Sequence, residues 1–280
     1  MPLAPPAPID TRAFFRPVSS QLAALLRRFS SDDWAKPAVG SWQVRDVVAH
    51  MVDTAMRRVS FQRDGHPPPP PPFPIEGPAD FVRFINRINA DWVEASRRLS
   101  GRQLTALYDA SSTELADFME AFPEDGPGLF GVSWAGEMES AGWFDIGREF
   151  TEQWHHQVQV REAVGAPPMT EPAWQRAVLG IAMRGLPHAF RDHHTVSGTA
   201  LTLDVTGVAG GAWTLERVDG AWRLLEGTHT SPATRVTMTG DAAWRLLFNA
   251  LPPDAAASAV RIDGDTTLAG PLLAARSIVV

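Results

Sequence analysis

Apolar residues recur about every 3.6 positions through most of the chain up to Val164, whereas after Pro168 they alternate with polar ones. A 3.6 period buries one stripe of a helix and a period of two buries one face of a strand, so the chain must build two unlike parts. Helical spacing covers residues 11–29, 41–63, 79–99 and 143–164. Four amphipathic helices predict a bundle. Ser41 before Trp42 is the expected cap of the second helix, and Gly165 followed by Pro167 and Pro168 stops the last. Residues 103–122 offer a further helical stretch, and 126–142 reads as a long loop carrying Trp134 and Glu137.

After Pro168 a helix at about 172–191 leads into alternating segments at 200–205, 213–218, 222–226 and 235–238. Turn chemistry at 207–211, at Asp219 with Gly220, and at 227–232 predicts an antiparallel meander, the Asp-Gly pair being the strongest hairpin signal. A helix at 241–251, a short strand at 259–262 and a last helix from Asp265 complete the expected fold class, a two-domain α+β chain. The expected domains are 8–166 and 167–280. Between the second and third helices, His66 and six consecutive prolines, Pro67 to Pro72, form a stiff surface connection, since such a run joins neither a helix interior nor a sheet ladder. A plain loop and a docking segment for a proline-binding partner both fit it.

Composition removes several function classes. The chain has no cysteine, which excludes disulfides, thiolate ligands and a cysteine nucleophile; sulfur chemistry would need an external thiol. A net charge of −7 without a basic run argues against nucleic acid as a partner. No apolar run reaches membrane-spanning length, and the proline-rich start lacks the order of a signal peptide, so a cytoplasmic location is expected.

The chemistry-bearing pattern is His50, set among Val44, Val47, Val48, Met51 and Val52, together with Glu152 and His156 four residues apart on the last helix of the first half. Residues at i and i+4 project from one helix face, so this carboxylate and imidazole can close on one ion, and His50 can supply a third donor. Three nitrogen and oxygen ligands leave a position open for water or substrate. The same spacing also fits a hydrogen-bonded core histidine and a solvated Glu–His pair. His155 stands about 100° out of register with His156. Asp46 and Asp53 lie on the His50 side of their helix and can accept a ring proton, with a solvated acidic edge or a helix-dipole partner as the other reading. Asn86 and Asn89 are candidates to orient substrate oxygens. Arg217, Arg223 and Arg235 are candidates to hold a carboxylate, or are exposed strand charges. His188, His193 and His194 have spacing unsuited to one helix face and read as a helix end.

Several stretches resemble a known family. SWQVRDVVAHMVD (41–53) and EQWHHQVQVREAVG (152–165) are similar to the two signatures of the DinB-like, mycothiol-dependent maleylpyruvate isomerase family. FVRFINRINADWVEASRRLS (81–100) resembles its intervening helix. GGAWTLERVDGAWRLLEG (210–227) and IDGDTTLAG (262–270) resemble the sterol-carrier-like domain that follows. The resemblance implies a DinB-like four-helix bundle with a sterol-carrier-like α+β domain, and a divalent metal (zinc, with nickel, iron or manganese as other options) on His50, Glu152 and His156. It also implies a low-molecular-weight thiol such as mycothiol as cosubstrate, and a small electrophilic or unsaturated acid as substrate. The aspartate that the family carries three residues after its second histidine is Gln159 here, which keeps a hydrogen bond and loses a charge. The resulting expectation is a thiol-dependent transferase or isomerase. A reading of another class is a non-catalytic carrier or sensor with a structural or vestigial metal site.

Overall fold

A computed structural model describes residues 3–66, 69–123 and 125–278. It divides into two compact units, described in turn. One holds Asp10–Leu129 with Glu149–Thr170; the other holds the N-terminal residues up to Ile9, Phe130–Arg148, and the chain from Glu171 onward. The segment 130–148 therefore groups with the sheet-bearing unit, although its sequence shows no strand period.

The first unit is helical. After a 3-10 turn at Arg12–Phe14 come α1 (Phe15–Leu26), α2 (Ser31–Ala35), a small hairpin of β1 (Pro37–Val39) and β2 (Trp42–Gln43), α3 (Val44–Arg58), α4 (Pro78–Ser96), α5 (Gly101–Ala121) and α6 (Gly142–Val164), the last entering this unit at Glu149. α3 runs on through one π-type turn at Val59–Arg63. Its start is not where Ser41 would put it. The hairpin occupies Trp42 and Gln43, and Asp46 Oδ2 accepts from the Gln43 backbone N–H at 3.0 Å, satisfying a donor at the helix start. α6 ends as its spacing predicts, with Gly165 at φ +68°, a conformation that glycine adopts without a Cβ clash. Pro67 and Pro68 of the polyproline run lie outside the described residues; Pro69 to Pro72 are exposed and without regular structure.

The core of this unit joins α1, α3, α5 and α6 through Leu22, Leu26, Val44, Val47, Val48, Met51, Val52, Tyr108 and Val160. Apolar spacing assigns the fourth place to 79–99, whereas α5 takes it. α4 instead lies along α3, with the Trp92 indole N–H donating to the Ala49 carbonyl at 2.9 Å.

In the second unit, α7 (Pro172–Met183) and α8 (Leu186–Ala189) precede β3 (Ala200–Thr206), β4 (Gly211–Val218), β5 (Ala221–Glu226) and β6 (Thr234–Thr239); then follow α9 (Gly240–Leu247), α10 (Pro253–Ala259), β7 (Arg261–Gly264) and α11 (Ala269–Ala274). The β4–β5 turn is the expected tight hairpin: Asp219 and Gly220 both have positive φ, +50° and +80°, the geometry that matches strand twist. The meander, however, stops at β5. The sheet order is β5-β4-β3-β6-β7, and β6 runs parallel to β3, so the sheet is mixed rather than antiparallel throughout. A period of two states which face is buried but not which neighbour a strand joins. Residues 227–233 carry the chain back across two strands, held by the Thr214 hydroxyl on the Gly227 carbonyl (2.9 Å) and the His229 N–H on Thr202 Oγ1 (3.3 Å). A further cluster of Val132, Trp134, Phe144 and Ile181 packs the 130–148 segment against α7. Among the described residues no helix is long and apolar enough to cross a membrane.

Candidate metal centre

His50 sits in the middle of α3, 9% exposed, with Val47, Val48, Met51 and Val52 wholly buried around it. The Trp42 ring, beside the turn of the β1–β2 hairpin, lies 5.2 Å from the imidazole. α6 presents His156 to the same place. The two imidazoles meet edge to face with centroids 4.9 Å apart. One turn earlier on α6, Glu152 Oε2 lies 3.5 Å from His156 Nε2. The long-range trio is thus brought together by the packing of α3 and α6 on one core.

The two histidines are tuned in opposite directions. Burial pushes His50 down to about 3, assisted by the nearby charge of His156, so its ring is a neutral lone-pair donor. Among the described residues its buried Nδ1 has no hydrogen-bond partner. Burial also opposes a charge on His156, but the Glu152 carboxylate outweighs it, with Gln159 and Glu149 adding, and its pKa is raised.

Gln159 links both histidines of α6. Its Oε1 lies 2.9 Å from His156 Nδ1 and its Nε2 lies 3.2 Å from His155 Nε2. An amide oxygen only accepts and an amide nitrogen only donates, so His156 carries a proton on Nδ1 and turns Nε2 toward Glu152. His155, itself buried, stacks on His156 with planes 20° apart. Glu149 is the member of this neighbourhood that spacing arguments missed. It lies two helical turns before His156, on the same face, and that seven-residue interval was the available signal.

The remaining candidates are placed apart from the rings. Asp46 is turned to the Gln43 backbone and to Arg97, whose Nε is 3.5 Å from Oδ1. Asp53, raised by burial, faces Arg57 at 3.0 Å, and Arg57 in turn donates to Asn89 Oδ1 at 2.8 Å. Asn86 is exposed. His188 ends α8, in the other unit from His50 and His156.

Two imidazoles and a carboxylate are a suitable donor set for a divalent ion, and an orphaned buried Nδ1 is the kind of valence such an ion fills. As the side chains stand, among the described residues no three His, Asp or Glu groups are disposed around a common point for an ion. Glu152 and His156 are engaged with each other.

A search of curated proteins finds no match for the chain. Among solved structures it is similar to the mycothiol-dependent maleylpyruvate isomerase and to a histidine-to-alanine mutant of that enzyme. In both, the TM-score is 0.51 at 12% identity over 84% of this chain and 86% of the other, a likeness of fold. The family model described as the mycothiol maleylpyruvate isomerase N-terminal domain matches residues 15–161. That span contains α3, α4, α5 and the Glu152–His156 pair and exceeds half of the chain, which therefore belongs to the mycothiol maleylpyruvate isomerase family.

Proposed function

We propose that this protein is a metal-dependent isomerase or transferase that uses mycothiol or a related small thiol on an unsaturated or electrophilic acid, with His50, Glu152 and His156 as ligands of a divalent ion, zinc foremost. The observation that carries the reading is the convergence of His50 from α3 with His156 and Glu152 from α6, His50 Nδ1 being buried and without a partner. The helical unit is read as a DinB-like bundle around α1, α3, α5 and α6, and the sheet-bearing unit as a sterol-carrier-like domain.

The chain's own residues do the following. Burial keeps His50 neutral, so a nitrogen lone pair is available at neutral pH. Gln159 holds the His156 proton on Nδ1 and so leaves Nε2 to face the centre. Glu152, 3.5 Å from His156 Nε2, would supply the negative charge of the ligand set. With no cysteine in the chain, a thiol nucleophile comes from outside it. A divalent ion held there would lower the pKa of a bound thiol; addition of that thiol to a double bond, rotation about the resulting single bond and expulsion of the same thiol would isomerise the acid without net oxidation.

The test has two readouts on protein purified without chelators. Metal analysis should give about one ion per chain, a figure set by the proposed set of three donors, and turnover of maleylpyruvate should require mycothiol and vanish in His50→Ala. Protein that is metal-free when purified and stays so after incubation with zinc, nickel, iron or manganese would overturn the metal reading. Bound metal without thiol-dependent turnover on any such acid would overturn the enzymatic one and favour a carrier or sensor.

A further inference from the structure

We propose that Arg217 anchors an oxyanion-binding site in the sheet-bearing unit, made to take a carboxylate or phosphoryl group. Arg217 follows Trp213 and Leu215 on the inward face of β4 and is 7% exposed. A guanidinium keeps its charge at any physiological pH, so burying one without a counter-ion is costly. The other arginines of this sheet and its surround avoid that cost: Arg223 meets Asp219 at 3.8 Å, Arg261 meets Asp263 at 3.2 Å, Arg235 pairs with Asp204, and Arg176 pairs with Glu226.

Among the described residues Arg217 has no carboxylate partner, its side-chain hydrogen bonding consists of one contact, Nη2 to His194 Nδ1 at the limiting distance of 3.5 Å, and its buried Nε has no partner. The Trp222 ring, its cross-strand neighbour, lies 5.9 Å from the guanidinium carbon, a weak cation–π contact that does not use the N–H groups. What is left is a planar fork of donors with an unfilled edge.

The surroundings fit a small oxyanion. Trp222 forms a flat wall and is itself fixed, its indole N–H donating to the His193 carbonyl at 2.9 Å and its ring meeting Phe190 at 5.1 Å. His194, on which the long contact from Arg217 ends, is exposed. An arriving carboxylate or phosphate replaces the long His194 contact and takes Nε and Nη2 together, the bidentate geometry for which arginine is suited. The site does not depend on the metal reading, since no donor to it comes from α3 or α6.

The experiment is a titration of the full-length protein with acetate and, separately, inorganic phosphate at constant ionic strength, following the Arg217 Nε–H and Trp222 indole N–H resonances. Saturable shifts of both are expected, with acetate alone saturating if the ligand is a carboxylate and phosphate alone if it is a phosphoryl group. Arg217→Lys, which keeps the charge and loses the fork, should weaken binding at least tenfold, and Arg217→Met should abolish it. His194→Ala, a change at an exposed position, should retain saturable binding and guards against loss of fold in the arginine variants. Linear shifts no larger than chloride produces, or equal affinity in Arg217→Lys and the parent, would overturn the proposal.

Discussion

The imidazole rings of His50 and His156 stand edge to face, planes 83° apart, with a polar atom of one of them orphaned in the core and the other tied to a carboxylate. Such an arrangement is expensive as a packing element and useful as a binding one, and the two roles separate by mutation. A buried polar atom without a partner costs about 1–3 kcal/mol, so an apolar side chain of similar volume removes a penalty rather than an interaction. His50→Leu is therefore expected to leave the metal-free protein equally stable or more stable by about 1 kcal/mol, while metal uptake is lost. Urea unfolding in the presence of a chelator, paired with metal analysis, reads both. A clear loss of stability in the metal-free variant would mark His50 as a core residue first.

Gln159 makes a different prediction, because it touches the ligand set without belonging to it. Its oxygen fixes the His156 tautomer and its nitrogen holds His155. Gln159→Leu removes both contacts and is expected to weaken metal binding about 10–100-fold, the usual cost of losing a partner that orients a ligand. Gln159→Glu keeps an acceptor for the His156 Nδ1–H and should hold the ion far better than the leucine variant. Chelator competition on the three proteins decides it; equal affinities would leave Gln159 no orienting role.

How much of this was legible in the chain follows from what each pattern encodes. The valine-rich stripe of α3 located His50 inside a helix face, and the four-residue interval located Glu152 and His156 on another, because helical period maps directly onto facing. The start of α3 was misplaced because a two-residue strand, Trp42–Gln43, carries no periodic signal, and a capping carboxylate at Asp46 was indistinguishable from one aimed at His50. The parallel β3–β6 pairing was invisible for a similar reason: Val236 and Met238 show that one face of β6 is buried, and say nothing of the strand beside it. Arg217, Arg223 and Arg235 look alike as strand arginines. Only the fold shows that two have acids within reach and one does not.

The end of α2 carries the pH prediction. Asp33 accepts from Lys36 Nζ at 2.9 Å and from the Ser30 N–H at 2.9 Å, and the lysine first, then the serine, lower it from its ordinary value near 3.8 to about 2. A folded-state pKa below the unfolded one means that the ionised form favours folding. Its contribution is whole above the ordinary carboxylate range and is lost as pH falls through about 2. The difference in melting temperature between the parent and Asp33→Asn should accordingly be constant near neutrality and shrink in acid. A difference that persists unchanged below the lowered pKa would mean that the Asp33 charge is not what the helix end uses.

The mixed sheet rests on a short chain of hydroxyls whose direction can be worked out. The Gly227 carbonyl can only accept, so Thr214 donates to it; Thr214 Oγ1 then accepts from Thr202, 3.0 Å away, and Thr202 accepts from the His229 N–H. Both threonines are fully buried, so no water replaces a missing partner. Thr214→Val keeps the volume but leaves the Thr202 hydroxyl and the Gly227 carbonyl unpaired together, which should cost about 1–3 kcal/mol for each group so exposed. Thr202→Val, combined with it, removes the orphaned hydroxyl but takes the acceptor from the His229 N–H, so the double variant is expected to lose less than the sum of the two single variants. Denaturant unfolding of the two single variants and the double measures this, and fully additive losses would rule out the relay and leave the crossover at 227–233 to be held by its backbone alone.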